Sequence, residues 1–579
     1  MRSASPPRFP VGRVLAGALI AVGVLAVPAP AQADNQSIGV NFAAGTAAPT
    51  YRASGWIYGM TENGTNPPSN YFTDVKFQAM RAGGAQLAGG GWQGGGYDRR
   101  WNATRAQMLR TKALGGKFVL LPHDLWGADG ANIARYPGDN GNWTDYNNFL
   151  TRVIADVKAT GVPVQWDIWN EPNISIFWNR PQSQYFELWR RTYQRLRADM
   201  PGTLIVGPSY AGVPTTSNGA WWNQYLDYVK ANNVVPDIIS WHSLPGDPVA
   251  NVAAANSTLD ARGIPHPRPY QINEYGAGNE QNPADGAWYI TRLERAGADG
   301  LRANWASGGN LHNDLGNLLI HNSAGQYQTK GEWWVYRFYA QQTGTIVTTT
   351  PSSGYDAYAT KDTGTAKVLI GGGRTTGNIA VSLQGLNSTT GLVVNNQVRA
   401  VVQRIPDNNG GAVTGPVTVQ DQVVTLTGNA ATVNVNNTNV NDAYTITLLP
   451  SSTPTSPSPS PSASASPSPS SSASSPPATG TACTASYQIT GTWQGGFQAE
   501  VAVSNTGSAA TRGWAVNWTL PAGQAISQIW NGSLVTSGSA ATVTNVSYNG
   551  TLAPGATATF GFLASGNSAS TPSLTCSAN

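Results

Sequence analysis

Between Ser451 and Gly480 the chain uses only Ser, Pro, Thr and Ala until its closing Gly. No large apolar side chain is available there, so this stretch has nothing to bury. Repeated proline keeps such a segment extended, as a semi-rigid tether. No single core can run through it, and the chain must fold as separate bodies on either side. A length of 579 residues fits about three domains.

The N-terminus reads as an export segment. Arg2, Arg8 and Arg13 precede an apolar run from Val14 to Val27, followed by Ala31-Gln-Ala33. A charged region, an apolar region and a small-x-small site in that order describe a signal peptide. The run is shorter than the roughly 20 residues of a spanning helix. Cleavage after Ala33 and a secreted, extracellular protein are expected, with no membrane partner. The two cysteines, Cys483 and Cys576, lie near the ends of the last hundred residues. An oxidising compartment lets them form a disulfide.

Charged residues make up 11% of the chain, and its 34 Lys and Arg are scattered without a basic run. Nucleic-acid binding needs a concentrated cationic patch, so that class of partner is excluded. Abundant Gly, Ser, Thr, Asn and Trp suit a neutral, hydroxyl-rich ligand instead.

Upstream of the tether two patterns follow each other. From Asn35 to about Thr343, short β-like runs alternate with helical stretches. The runs are Ile38–Phe42, Ala85–Ala88, Lys117–Pro122, Val164–Trp169, Leu204–Gly207, Ile238–His242, Tyr270–Asn273 and Ala303–Trp305. The clearest helix is Ser183–Asp199, with Tyr185, Phe186, Trp189, Tyr193 and Leu196 at helical spacing. Eight alternations over some 300 residues predict a (β/α)8 barrel across 34–343. An open doubly wound sheet is the alternative. It would carry a Gly-rich phosphate loop, whose spacing the runs Gly89–Gly91 and Gly94–Gly96 lack. From about Gly344 to Pro450 β-branched segments bounded by turns replace the alternation and predict a β-sandwich. Residues 481–579 read as a separate all-β module.

Only eight glutamates occur in the whole chain, and two of them directly follow apolar runs. These are Trp169-Asn-Glu-Pro172 and Ile272-Asn-Glu-Tyr275. Strand C-termini of a parallel barrel share one mouth, where catalysis is found. Glu171 would end the fourth strand and Glu274 the seventh, on either side of a bound substrate. Two facing carboxyl groups are what glycoside hydrolysis uses, one as acid and one as nucleophile or base. An Asn before the acid can hydrogen-bond the sugar 2-hydroxyl. A strand-terminal Glu can instead merely cap the next helix.

The segment Trp169-Asn-Glu-Pro-Asn173, with Phe177-Trp178, Tyr185-Phe186 and Val206-Gly-Pro208, resembles glycoside hydrolase family 39. More broadly it is similar to the clan of retaining (β/α)8 hydrolases, over about residues 35–450. The resemblance implies Glu171 as acid/base, Asn170 as its sugar-binding partner and Glu274 as nucleophile. His242 and Trp241 end the sixth run, where the clan often places a His near the nucleophile. His123-Asp124 ends the third and Trp305 the eighth, where an aromatic platform is common. Tyr275 joins these as a substrate-binding candidate. The five histidines show no metal-ligand spacing, so neither a metal nor another cofactor is expected.

In the last module, Trp493-Gln-Gly-Gly-Phe497, Gln528-Ile-Trp-Asn531, Tyr548-Asn-Gly550 and Phe560-Gly-Phe562 lie between the two cysteines. This is similar to a family 2 carbohydrate-binding module. It implies an aromatic row of Trp493, Trp530 and Tyr548 that stacks on polysaccharide, with Trp530 placing it nearer the cellulose-binding subgroup. Trp514 and Trp518 alternate in one strand and are assigned to the core. The expected activity is retaining hydrolysis of plant cell-wall polysaccharide. The family favours exo-acting release of xylose or arabinose units from hemicellulose or arabinogalactan side chains. An endo-glucanase, mannanase or xylanase of the same clan is the alternative.

Overall fold

The computed structural model describes residues 36–130, 133–215, 220–303, 311–373, 375–451, 482–493, 495–521, 523–530, 532–546, 549–566 and 572–579. The expected signal segment and nearly all of the tether lie outside these residues. The chain forms two compact units, which divide within the Ser/Pro stretch.

The first unit opens with β1 (Gln36–Gly45) and then builds a closed barrel. Its strands, all parallel, are β2 (Gly55–Ile57), β3 (Ala79–Ala82), β4 (Lys117–Leu120), β5 (Val164–Asp167), β6 (Leu204–Ala211), β7 (Ile238–Ser243), β8 (Tyr270–Tyr275) and β9 (Asp299–Arg302). Every residue of β7 and β8 is buried. Helices cover the outer face and side chains fill the inner one, so both faces of a barrel strand are dry. The helices supply matching stripes. In Thr144–Thr160 the buried residues are Tyr146, Phe149, Leu150, Val153, Ile154 and Val157, three and four apart along one face.

A small hairpin, β10 (Leu319–His321) and β11 (Tyr327–Thr329), follows the barrel. Next come β12 (Thr345–Thr350), β13 (Tyr355–Asp362), β14 (Thr365–Gly372), β15 (Gly377–Gln384), β16 (Gln397–Ile405), β17 (Val417–Thr425), β18 (Ala430–Asn437) and β19 (Ala443–Pro450). With β1 they form one nine-stranded sheet, ordered β17-β16-β19-β14-β13-β12-β1-β15-β18. The sheet folds over its own core, which includes Ile38, Val40, Val368, Ile379, Val398, Val433 and Ile446. Its two edges meet where Gln420 Nε2 donates to the Asn434 carbonyl at 2.8 Å.

The expected (β/α)8 barrel and β-sandwich are therefore both present, but three strand placements are corrected. Ile38–Phe42 is not the first barrel strand. It belongs to β1, which runs parallel to β15 and antiparallel to β12 in the sandwich. Its Ile38, Val40 and Phe42 alternate with less buried residues, the mark of a strand with one wet face. The true first strand is only three residues long, too short for any periodicity. The second and eighth strands, β3 and β9, lie just before Ala85–Ala88 and Ala303–Trp305. The register of the other five was read correctly, so the fourth and seventh strands keep their numbers.

Barrel and sandwich share a tight seam. A Cβ on Gly371 of β14 would stand 2.4 Å from the Ala287 methyl and from the Trp288 amide nitrogen on helix Pro283–Ala296. On the same helix Arg292 bonds both Asp247 of the barrel and Asp356 of β13, and Arg295 bonds Asp356 as well.

The second unit packs two antiparallel sheets. One is ordered β20 (Cys483–Trp493), β21 (Gly496–Asn505), β26 (Thr557–Ser565), β23 (Ala525–Trp530). The other is ordered β24 (Ser533–Ser537), β25 (Ala540–Thr544), β22 (Trp514–Thr519), β27 (Thr575–Ala578). Trp514 and Trp518 are core residues stacked on Phe560, and Trp518 also stacks on Phe562. Cys483 and Cys576 are disulfide-bonded across 93 residues of sequence, joining the edge strand of one sheet to the edge strand of the other. Among the described residues no helix is long and apolar enough to cross a membrane.

Candidate active site

Glu274 points into the barrel from the end of β8, and Glu171 lies on the turn that follows β5. Glu171 holds a left-handed backbone, φ +42°, and donates its amide to the Ser209 carbonyl at 3.0 Å. Such a conformation is strained for a residue with a Cβ and persists only where its surroundings enforce it. Ser209, at the end of β6, has φ +55° as well.

The two carboxylates meet over His242 of β7. His242 Nδ1 lies 2.7 Å from Glu171 Oε1 and 3.4 Å from Glu274 Oε2. One oxygen from each carboxylate and an imidazole nitrogen all fall within 4.8 Å of one another. A cation among them would have to share Glu274 with a guanidinium, because Arg81 Nη1 donates to Glu274 Oε1 at 2.9 Å.

Arg81 organises the floor. It projects from β3 with no exposed side-chain surface and spends each nitrogen on a different partner. Nε goes to Asp167 at 2.7 Å, Nη1 to Glu274 and Nη2 to Asn170 Oδ1 at 2.8 Å. Asp167 in turn accepts from Ser209 and from Asn273 Nδ2. A buried charge is tolerable when paired and hydrogen-bonded, and Arg81 is paired with two carboxylates here, although Glu274 Oε2 and Asn273 Oδ1 find no hydrogen-bond partner among the described residues. With Oδ1 occupied, the Asn170 amide is oriented so that its nitrogen is the group left for a ligand.

The two glutamates differ in surroundings. Glu274 is 1% exposed, and burial pushes its carboxyl up to about 7, against the opposing pull of His242 and Arg81. Burial also acts on Glu171, but the charge and hydrogen bond of His242 outweigh it, and Arg81 adds to them. Its carboxyl lies below the ordinary range.

His123 and Asp124 sit on the short helix after β4. Asp124 accepts from His123 Nδ1 at 2.7 Å and from the Tyr58 hydroxyl. His123 is 1% exposed and packs edge-on to Trp169 and Phe177. Its Nε2 finds no partner among the described residues. Tyr58, Arg81, His123, Asp124, Asp129, Asn170, Phe177 and Glu274 line one pocket at the C-terminal mouth of the barrel.

Tyr275 is placed apart from this pocket. The register shifts between Ile272 and Tyr275, and the Tyr275 ring packs on Tyr289 of helix Pro283–Ala296. Its hydroxyl donates to the Ala53 carbonyl and pairs with Tyr336, in the protein core. Trp305 and Tyr548 lie outside the described residues. Trp493 and Trp530 end β20 and β23, and their side chains are likewise outside the description.

The sequence reading missed Arg81, Asp167, Tyr58 and Asp129. A trace of the first two was available. Arg81 interrupts the apolar run Ala79-Met-Arg-Ala82, and Asp167 closes β5. A charge inside a barrel strand demands a partner. Nothing marks Tyr58 or Asp129.

Residues 483–579 match the family described as cellulose binding domain. The C-terminal unit is a module of that family. A segment of 104 residues is 57% identical to Endoglucanase A of Thermobispora bispora, covering 18% of this chain and 23% of that protein. A segment of 92 residues is 40% identical to Chitinase 63 of Streptomyces plicatus, covering 16% and 15%. The chain thus spans less than a quarter of the length of these curated relatives. In three dimensions a protein from Neocallimastix frontalis aligns over 72% of this chain and 100% of its own, with TM-score 0.59 and 24% identity. A glucosidase from Croceicoccus marinus aligns over 72% and 99%, with TM-score 0.51 and 15% identity. At these identities the two likenesses establish a shared fold.

Proposed function

We propose that this protein is a secreted, retaining glycoside hydrolase, similar to family 39, that acts on plant cell-wall polysaccharide and binds cellulose through its C-terminal module. The carrying observation is the carboxylate pair. Oxygens of Glu171 and Glu274 lie within 4.8 Å. Retaining enzymes hold their carboxyl groups about 5–5.5 Å apart, and inverting ones about 6.5–9.5 Å, to admit a water. The short separation favours direct attack by one carboxylate on the anomeric carbon.

In this reading Glu274 attacks and Glu171 protonates the leaving oxygen, then takes a proton from the incoming water. The Asn170 amide nitrogen binds the 2-hydroxyl, and His123 Nε2 accepts from another sugar hydroxyl. Burial of Glu274 and the pull of His242 on Glu171 favour the opposite placement of the proton, on Glu274. Two carboxyls this close titrate as a pair, and His242 Nδ1 touches both. A bound sugar removes water from Glu171, which is the more exposed of the two, and desolvation raises a carboxyl. Substrate binding therefore shifts the shared proton towards Glu171.

Secretion is supported by the export-like N-terminus and the disulfide. The exo mode and the preference for xylose or arabinose units rest on the family resemblance. The module does not choose a substrate, since related segments occur in an endoglucanase and in a chitinase.

Proton NMR of the first-formed product tests the mechanism, and retention of anomeric configuration is expected. Glu171→Ala should lose activity by about 10²-fold or more on substrates with poor leaving groups, and far less on activated aryl glycosides. An inverted first product, or equal loss on both substrate types, would overturn the assignment.

A further inference from the structure

The far wall of the pocket is built from Asp129 and Gln86, away from the Glu171–Glu274 pair in sequence and outside the roles given above. Asp129 is held rigidly. Arg100 Nη1 donates to its Oδ1 at 2.6 Å, Arg100 Nη2 to its Oδ2 at 3.2 Å, and the Gln86 amide to Oδ2 at 2.6 Å. Arg100 is 3% exposed and also donates to the carbonyls of Leu87 and Asp124. It thereby stitches the loop after β3 to the loop after β4. Gln86 is fixed in turn with φ +61°.

The charges of this pocket are unequal in availability. Asp124, Asp129 and Glu274 line it. Its two guanidinium neighbours, Arg81 and Arg100, are both committed to protein acceptors through every nitrogen. No lysine lines it. The undescribed loop segments 131–132, 216–219 and 304–310 contain no Lys or Arg. A buried polar atom without a partner here is His123 Nε2, and because Nδ1 donates to Asp124, Nε2 of the neutral ring is an acceptor. A neutral hydroxyl donates to that nitrogen, and the remaining lone pairs of Asp129 accept from a second hydroxyl, whereas a carboxylate brings acceptors only. A sugar carboxylate would instead meet Asp129 with no uncommitted cation to neutralise it.

We infer that this pocket takes an uncharged terminal sugar and that Asp129 is the residue that rejects a uronic acid. The inference rests on the glycosidase reading. It deepens that reading by naming the class of sugar and a specificity-determining residue outside the acid, the nucleophile and the floor.

The test uses the full-length protein and matched aryl glycosides of both anomeric configurations. Xylosides and glucuronides differ only at C5, where one carries hydrogen and the other a carboxylate; arabinosides and glucosides complete the neutral set. Neutral glycosides should be cleaved, with kcat/KM for the matched glucuronide lower by about 10²-fold or more, the scale of like charges at close range in a partly buried site. Asp129→Asn keeps the shape and removes the charge. It should narrow that gap by about tenfold or more. Should Asp129→Asn fail to fold once Arg100 loses its partner, inhibition of the wild type by free xylose and free glucuronate supplies the comparison, with xylose expected to bind more tightly. A wild type that hydrolyses glucuronides as well as xylosides, or glucuronate binding as tightly as xylose, would overturn the inference. An unchanged ratio in a folded Asp129→Asn would overturn it too. Cleavage of no aryl glycoside of any kind would instead remove the glycosidase reading beneath it, a distinct result.

Discussion

At the scale of single residues, the site is a balance of burial against charge. Glu274 is almost wholly buried, and its carboxyl is raised to about 7; in an unfolded chain it returns to about 4.3. Below the unfolded value both states are protonated and the group contributes nothing unfavourable. As pH rises towards 7 the unfolded chain releases a proton that the folded one keeps, and stability falls. Above 7 that loss is complete. Glu274→Gln has no such loss. It should abolish turnover and melt higher than wild type, by a margin that is wider at pH 8 than at pH 5. Glu332, also raised to about 7, is present in both proteins and cancels in the comparison. A Tm difference that stays constant or shrinks between those pH values would show that Arg81 holds Glu274 ionised throughout. The two catalytic candidates were legible in the sequence because glutamate is rare and each follows an apolar run. Arg81, which ties Glu274 to Asn170, was not. Its meaning lies in three partners that are 86, 193 and 89 residues away.

At the scale of elements, the barrel and the sandwich meet through helix Pro283–Ala296. Gly371 lets β14 approach it, since an added Cβ would collide with backbone atoms of Trp288 and Ala284. Backbone cannot yield as a flexible side chain can, so Gly371→Ala must shift the helix or the strand. The expected cost is about 1–3 kcal/mol, the range for overpacking a dense interior, read as a lowered midpoint in urea unfolding of the N-terminal unit. The helix also carries Arg292 and Arg295 into contact with Asp356, so the seam is polar at its edge and closely packed at its centre. An unchanged midpoint would mean that the seam can slide. Elements of this kind were unevenly visible beforehand. Long amphipathic helices such as Gln182–Asp199 announce themselves through their spacing. The three-residue β2 has no period at all, and β1 reads as a strand without saying which sheet it joins.

At the scale of the whole molecule, the two units are joined by a segment whose sequence holds no large apolar side chain, so they are expected to work independently. Removing residues 452–579 should leave kcat on soluble substrates unchanged and abolish retention on insoluble cellulose. In the full-length protein Trp530→Ala should weaken cellulose binding by about 1–3 kcal/mol, borrowing the scale of aromatic stacking on bases. Lower kcat on a soluble substrate after truncation would show that the module acts on the catalytic unit directly. Local chemistry alone determined much of this protein. The Ser/Pro stretch separated the units, the spaced cysteines fitted a disulfide in the last module, and strand-terminal Asn-Glu pairs marked a barrel mouth. Each of these is a property of neighbours along the chain, which short-range sterics and side-chain size control. Only the tertiary structure decided that β1 serves the sandwich, that Tyr275 turns into the core, and that Arg100 holds Asp129 in the lining of the pocket. Those outcomes depend on which distant surfaces come to lie together. That is set by packing the whole core at once, and no window of sequence contains it.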